Sequence, residues 1–246
     1  MEVPMKVVLL ALILTAAAAQ EPPTDLARRV AERETASEAE RAQYTYRQLV
    51  VIEEIGRGGL KAGEYRETRD VIFSPSGERS EALERAPWNS LQRLRLTEED
   101  FRDIREIQPL LLTRDRLWQH ETRYKGTEEI EGTVCWVLEV TPRQYLEGMR
   151  YFRGLLWVHP EDFSIVRSAG RAEPQLIGSK SENLFPHFTT TRRKMDSGFW
   201  FPETTYSDDT LHFRSGPLRQ RMRIEYSNYK RFTADTTIVF EEGTKP

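Results

Sequence analysis

Residues 151–170, YFRGLLWVHPEDFSIVRSAG, constrain the fold most, because they contain two alternating apolar runs joined by His-Pro-Glu-Asp. Successive side chains of a strand point to opposite faces, so Leu155 and Trp157 share one face and Leu156 takes the other. Pro160 fixes its own φ and removes a backbone donor, which favours a chain reversal. The segment predicts a β-hairpin, and an isolated hairpin is only marginally stable, so a larger sheet is expected around it.

The same alternation recurs along most of the chain and predicts about ten strands. Besides the hairpin, strands are predicted at 44–55, 63–74, 115–125, 133–141, 188–195, 199–206, 210–213, 218–232 and 237–240. Turns are expected at 74–77 and at Ser207-Asp208-Asp209, from their composition. A long antiparallel sheet curls because its strands twist. The expected fold class is therefore mainly β (α+β): a curled antiparallel sheet or unclosed β-barrel, with helices covering its concave side.

Two segments change from the strand period to the helix period. Residues 24–43 are rich in Ala, Glu and Arg, with a thin apolar stripe, and predict a surface helix lying against the sheet. Thr97 is followed by three acidic residues, and Phe101 and Ile104 then recur at helical spacing up to Pro109. This second helix lies in a run too apolar for a free loop, so it is expected to pack into the fold.

The N-terminal residues predict export. Lys6 precedes an apolar run, which ends in Ala17-Ala18-Ala19, the pattern of a secretory signal peptide over residues 1–19. A membrane anchor would need about 20 apolar residues. We therefore expect cleavage before Gln20, no membrane span afterwards, a single domain over residues 20–246 and, in a bacterium, a periplasmic location.

Composition argues against several classes of function. The chain has 36 Lys and Arg against 39 Asp and Glu, a formal net charge of −3, so no large field of one sign is available to attract nucleic acid. The four histidines are not at chelating spacing, and neither paired cysteines nor a G-x-S-x-G motif occurs. We expect no metal, no cofactor and no enzymatic activity. The basic run 191–194 is equally explained by a strand face in water or by a partner.

Cys135 is the only cysteine, so no intrachain disulfide is possible. In the strand pattern TVCWVLEV, Cys135 and Trp136 point to opposite faces of the sheet, and such a position favours a small buried hydrophobe over a reactive thiol.

The order of these segments resembles the outer-membrane lipoprotein-sorting (LolA-like) superfamily. The resemblance rests on YRETRDVIFSPSGERSE, VCWVLEVTP, the 151–170 hairpin, FWFPETTYSDDTLHF and RIEYSNYKRF. Its most specific pieces are Leu156-Trp157-Val158-His159-Pro160, leading to Ile165-Val166-Arg167, and Trp200-Phe201-Pro202. The family's carrier is smaller than this chain, and the late arginine-rich region has no residue-by-residue match.

The resemblance implies a periplasmic binding protein or carrier that holds the acyl chain of a lipid or lipoprotein in an apolar hollow under a helical lid. An envelope protein is a possible further partner. Six residues are candidates for the lining, although ordinary core packing is the favoured explanation for each of them taken singly: Phe101, Ile104, Trp136, Leu138, Leu155 and Trp157. The alternative is a structural or sensor domain whose hollow is filled by its own side chains. The two alternatives differ in whether the predicted second helix, from Thr97 to Pro109, leaves room for a ligand.

Overall fold

The computed structural model describes residues 21–73, 79–109, 112–178 and 182–231. Within them lie the α-helices α1 (Leu26–Arg41), α2 (Glu98–Arg102) and α3 (Arg114–Leu117), a π-helical turn (Asp103–Ile107) and a 3-10 turn (Arg57–Gly59). The strands are β1 (Tyr44–Ile55), β2 (Lys61–Phe73), β3 (Arg79–Leu83), β4 (Trp88–Asn89), β5 (His120–Ile130), β6 (Thr133–Pro142), β7 (Tyr151–Val158), β8 (Ile165–Glu173), β9 (Leu176–Ile177), β10 (Glu182–Asn183), β11 (Phe188–Lys194), β12 (Trp200–Phe213) and β13 (Gly216–Arg231). The predicted signal peptide, the 74–77 turn and the strand at 237–240 lie outside the described residues.

One large antiparallel sheet organises the described chain. Its order is β3-β2-β1-β13-β12-β11-β8-β7-β6-β5, with β4 paired to β2 beside β3. Strands β9 and β10 pair only with each other. The sheet curls, but its end strands β3 and β5 do not pair, so it does not close into a barrel. The predicted fold class is confirmed.

The hairpin predicted at residues 151–170 is present as β7 and β8, paired antiparallel. The His159 amide donates to the Ser164 carbonyl at 2.9 Å, and the Phe163 amide donates to the His159 carbonyl at 3.0 Å. Phe163 takes a positive φ of 59° to complete the reversal. The Pro160 turn therefore lies where the sequence predicts it.

The predicted turn at residues 207–209 is wrong, because β12 runs through these residues without interruption. Asp208 accepts hydrogen bonds from Arg219 at 2.8 Å and from Arg221 at 3.0 Å, both on the neighbouring strand β13. A carboxylate that pairs with cross-strand arginines is stable within a strand, so the acidic pair does not break β12.

The predicted strand at residues 115–125 is partly wrong, because its first residues form α3 and β5 begins only at His120. The amides of Arg116 and Leu117 donate to the Thr113 carbonyl, and the ring of His120 contacts the Arg116 carbonyl at 3.1 Å. These local hydrogen bonds favour a helical turn over extension of the strand.

The sheet has a covered inner face and a mostly wet outer face. The inner face carries the main apolar cluster, to which Trp136, Leu138 and Val140 of β6 contribute. On the outer face, Cys135 and Val137 belong to a separate small cluster. Cys135 is fully buried, and burial raises the pKa of its thiol to about 11, so the predicted buried hydrophobe is confirmed.

Helix α1 lies on the inner face through two kinds of contact. Its apolar stripe, Leu26 and Val30, is buried in the main cluster as predicted. One turn further on, Glu34 accepts hydrogen bonds from Arg192 of β11 at 2.8 and 3.1 Å, and both side chains are at most 2 % exposed. Arg192 therefore belongs to a buried ion pair and not to a solvated strand face.

Two glycines allow close packing in the middle of the sheet. Gly154 of β7 lies opposite Gly170 of β8, and the ring of Phe152 lies against both on the inner face. A Cβ on Gly154 would lie 2.6 Å from the Gly170 Cα and 2.8 Å from the Phe152 Cζ, closer than real Cβ contacts.

We predict that Gly154→Ala lowers the free energy of unfolding by about 1–3 kcal/mol, because the added methyl group overpacks this site. The matched control is Gly56→Ala, whose Cβ would lie no closer than 3.3 Å to another atom. Urea unfolding followed by tryptophan fluorescence measures both. Equal stability of the two variants would contradict the packing described for the glycine pair.

Candidate functional site

The candidate site lies between the inner face of the sheet and residues 92–109, which we call the insert. The insert contains α2 and the π-helical turn. Its apolar side chains pack against the main cluster, with Leu94, Ile104 and Ile107 buried and Leu96 and Phe101 partly buried. The prediction that this segment packs into the fold is confirmed.

The start of the insert is fixed by a buried carboxylate. Glu54 of β1 is 4 % exposed and accepts hydrogen bonds from the backbone amides of Gln92 at 2.7 Å, Arg93 at 2.6 Å and Leu94. Hydrogen bonds to an ionised acceptor are stronger than neutral ones. Glu54 therefore holds the first residues of the insert against the edge of the inner face.

The helix of the insert begins with the predicted cap. The Thr97 amide donates to Asp100 at 2.7 Å, and the Asp100 amide donates to the Thr97 hydroxyl at 3.5 Å, which forms a capping box. From β10, the Asn183 side chain donates to the Thr97 hydroxyl at 2.6 Å. Strand β10 therefore contacts the insert directly.

A buried ion pair joins the middle of the insert to Arg150, the residue immediately before β7. The Arg150 guanidinium donates to the two Asp103 oxygens at 3.0 and 2.7 Å, and both side chains are at most 4 % exposed. Arg150 also lies 3.8 Å from the centre of the Phe185 ring. Burial raises the pKa of Asp103 to about 6, although the hydrogen bonds from Arg150 oppose this shift. Burial likewise raises the pKa of Asp100.

The end of the insert is attached to β11. The Thr190 hydroxyl donates to the Gln108 carbonyl at 2.7 Å, and Arg192 contacts the Pro109 carbonyl at 3.5 Å. Because Arg192 also pairs with Glu34, this one side chain connects the insert, the sheet and α1. The insert is thus attached at both ends by polar contacts, and its apolar middle covers the sheet.

The insert leaves little room beneath it. The remaining cavity measures about 30 Å³. It is lined mainly by apolar side chains: Ile52, Leu94, Leu96, Ile104, Ala172, Leu184, Phe185, Pro186, Phe188, Leu211 and Met222. Sites for small molecules usually measure about 300–1,000 Å³. In this conformation, the side chains of the insert fill the hollow.

Two polar atoms in the same cavity are not satisfied. Oε1 of Gln108 and Nε2 of Gln220 are buried and have no hydrogen-bond partner among the described residues. A buried polar atom left unpaired costs about 1–3 kcal/mol. The contact between the insert and the sheet is therefore less favourable than its apolar residues alone would make it.

The six candidate lining residues are divided between the two faces. Phe101, Ile104, Trp136 and Leu138 belong to the inner cluster, and Ile104 alone of the six lines the small cavity. Leu155 and Trp157 belong to the outer cluster. The register explains this division. Leu138 pairs with Leu156 and lies on the same face of the sheet, whereas Leu155, the neighbour of Leu156, points to the opposite face.

Sequence reasoning missed the polar residues that position the insert. Asp103 and Arg150 are 47 residues apart, and Glu54 precedes its amide partners by 38 to 40 residues. An acidic residue inside an apolar helical run was the available signal at Asp103, but nothing local identifies its partner.

Among the described residues, no group of three His, Cys, Asp or Glu side chains is arranged to hold a metal ion. In the same part of the chain, no helix is both long enough and apolar enough to cross a bilayer.

Solved structures of similar fold cover most of this chain. A DUF1329 family protein from Desulfovibrio piger matches at 17% identity and TM-score 0.47, over 88% of this chain and 96% of its own. A LolA superfamily protein from Nitrosomonas europaea matches at 18% identity and TM-score 0.38, over 84% of this chain and 94% of its own. A putative outer membrane lipoprotein-sorting protein domain from Vibrio parahaemolyticus matches at 10% identity and TM-score 0.39, over 82% of this chain and 92% of its own.

No protein-family model and no curated protein matches the sequence.

We predict that the insert is held less tightly as the pH rises from 3.8 to about 6. The docked insert keeps a proton on Asp103 in this range, whereas a released, solvated Asp103 loses it near the ordinary value of 3.8, so docking is linked to proton uptake. Hydrogen exchange at the amides of Ile104 and Ile107, corrected for intrinsic rates, measures this. Protection should fall across the range and then level off.

The control is Asp103→Asn, in which the pH dependence should become smaller, leaving the contribution of Asp100. Protection that rises with pH in the wild type, or a slope unchanged in the variant, would contradict the assignment to Asp103.

Proposed function

We propose that this protein is a periplasmic binding protein or carrier, which holds the acyl chain of a lipid or lipoprotein on the inner face of the sheet after the insert has moved aside. The observation that carries the proposal is that a separately anchored apolar segment covers the inner face and packs onto the side chains of the sheet. The predicted signal peptide supports the proposed periplasmic location.

The docked insert and a bound acyl chain would gain comparable free energy from apolar burial on the inner face. Each fully buried apolar side chain contributes about 1.5–3 kcal/mol, so Leu94, Ile104 and Ile107 together contribute on the order of 5–9 kcal/mol. The partly buried Leu96 and Phe101 each add less. An acyl chain with about 15 buried methylenes would contribute about 12 kcal/mol at about 0.8 kcal/mol each. Because these contributions are similar, exchange of the insert for an acyl chain requires little net free energy, which suits a carrier that must also release its ligand.

The anchors of the insert suit such a movement. Contacts at its two ends, to Glu54 and to Thr190, involve backbone groups and do not depend on the position of its middle. Opening would break the contact of Asn183 with Thr97 and the ion pair of Asp103 with Arg150.

A second candidate is a structural or sensor domain of the envelope in which the insert stays docked. The cavity of about 30 Å³ favours it, because nothing larger than a water molecule fits there while the insert is in place.

Uptake of an uncharged, pyrene-labelled monoacylglycerol by the purified protein distinguishes the two candidates. We predict saturable binding by the wild type. Ile104→Ala should bind the probe at least about tenfold more tightly, because truncation of a buried isoleucine weakens docking of the insert by about 2–5 kcal/mol.

The matched control is Val166→Ala in the outer cluster, which removes buried apolar volume without touching the insert. Its affinity for the probe should equal that of the wild type. Absence of binding in the wild type and in Ile104→Ala would refute the carrier proposal and favour the domain with a permanently docked insert.

A further inference from the structure

A second cavity lies at the edge of the hollow and has a different character. It measures about 360 Å³ and is lined by Arg93, Arg95, Glu182, Asn183, Phe213, Arg214, Ser215 and Leu218. Three arginines face one carboxylate there. The cavity is large enough for a small polar group, and its charge selects an anion.

This cavity lies beside the small cavity under the insert, because one short segment lines both. In the segment Arg93-Leu94-Arg95-Leu96, the two leucines line the small cavity under the insert and the two arginines line the edge cavity. Leu218, in the wall of the edge cavity, is buried in the main apolar cluster. A ligand with its chain under the insert would therefore have its polar end at these arginines.

The guanidinium groups of Arg93 and Arg95 keep donors available. Among the described residues, the Arg93 guanidinium donates only to the carbonyls of Pro217 and Gly216, at 3.3 and 3.4 Å, and the Arg95 guanidinium has no hydrogen bond or ion pair. Arg214 donates to the Gly178 carbonyl at 2.9 Å, and Glu182 accepts from the Arg214 backbone amide. A guanidinium is permanently charged and binds phosphate oxygens through paired donors.

We infer that Arg93, Arg95 and Arg214 bind the phosphate of an anionic headgroup, whose acyl chain occupies the hollow beneath the insert. This inference rests on the proposed function, because the acyl chain brings the headgroup to the cavity. It names the ligand class as a phosphate-bearing lipid with an acyl chain, and it separates such lipids from neutral acyl compounds.

The test compares two ligands that differ only in the phosphate: palmitoyl lysophosphatidic acid and monopalmitoylglycerol, both below the concentration at which they form micelles. Their affinities are measured by displacement of the uncharged pyrene probe. Glycerol 3-phosphate, followed by calorimetry, tests for binding of a free phosphate compound. We expect the wild type to bind the lysophosphatidic acid about tenfold more tightly than the monoacylglycerol, and high salt to reduce this preference.

Arg95→Gln should remove most of the preference, because it weakens binding of the lysophosphatidic acid much more than binding of monopalmitoylglycerol, which has no phosphate for Arg95 to bind. The matched control is Arg223→Gln, which removes the same charge from the outer face of β13, where Arg223 pairs with Glu225. The control should keep the preference.

The outcomes separate this inference from the proposed function. Equal binding of the two palmitoyl ligands by the wild type, or an equal loss for both in Arg95→Gln, would overturn the headgroup site and leave the carrier in place. Binding of glycerol 3-phosphate alone, with dependence on Arg95, would overturn both and identify a site for free phosphate compounds. Absence of all binding would refute both.

Discussion

A sheet that curls without closing keeps its inner face out of water only if other parts of the chain cover it. Here α1 and the insert provide the cover, and Arg192 joins both to the sheet through Glu34 and the Pro109 carbonyl. Burying two charges costs several kcal/mol per ion, which only good pairing offsets. The pair therefore fixes where the cover lies more than it adds to stability.

The same constraint explains the division of the insert into anchors and an apolar middle. Its ends are held by directional hydrogen bonds to Glu54 and Thr190, whereas its middle combines non-directional apolar contact with one ion pair, Asp103 to Arg150. An acyl chain can replace apolar contact of that kind, but it cannot replace the hydrogen bonds. The geometry therefore favours movement of the middle about fixed ends. The three arginines lie at the edge of the same hollow, where the polar end of such a ligand would bind.

Local sequence patterns predicted the elements of this fold well. Alternation located the 151–170 hairpin, and the Thr97 cap located the start of the insert helix. Alternation gives only relative faces, however, so the separation of Leu155 and Trp157 from Trp136 depended on the register between β6 and β7. Partners distant in sequence were not predictable either: Glu34 and Arg192 are 158 residues apart, and the arginines that keep Asp208 within a strand lie on the next strand.

The central claim is that the insert must leave the inner face before an acyl chain enters. The most direct test tethers it with a reversible, short bis-methanethiosulfonate crosslinker between cysteines at Thr97 and Asn183, whose side chains are 2.6 Å apart. The background is Cys135→Ala, so that no other thiol reacts. We predict that the crosslinked protein does not take up the pyrene-labelled monoacylglycerol and that reduction restores uptake. Uptake by the crosslinked protein equal to that of the reduced protein would contradict the claim.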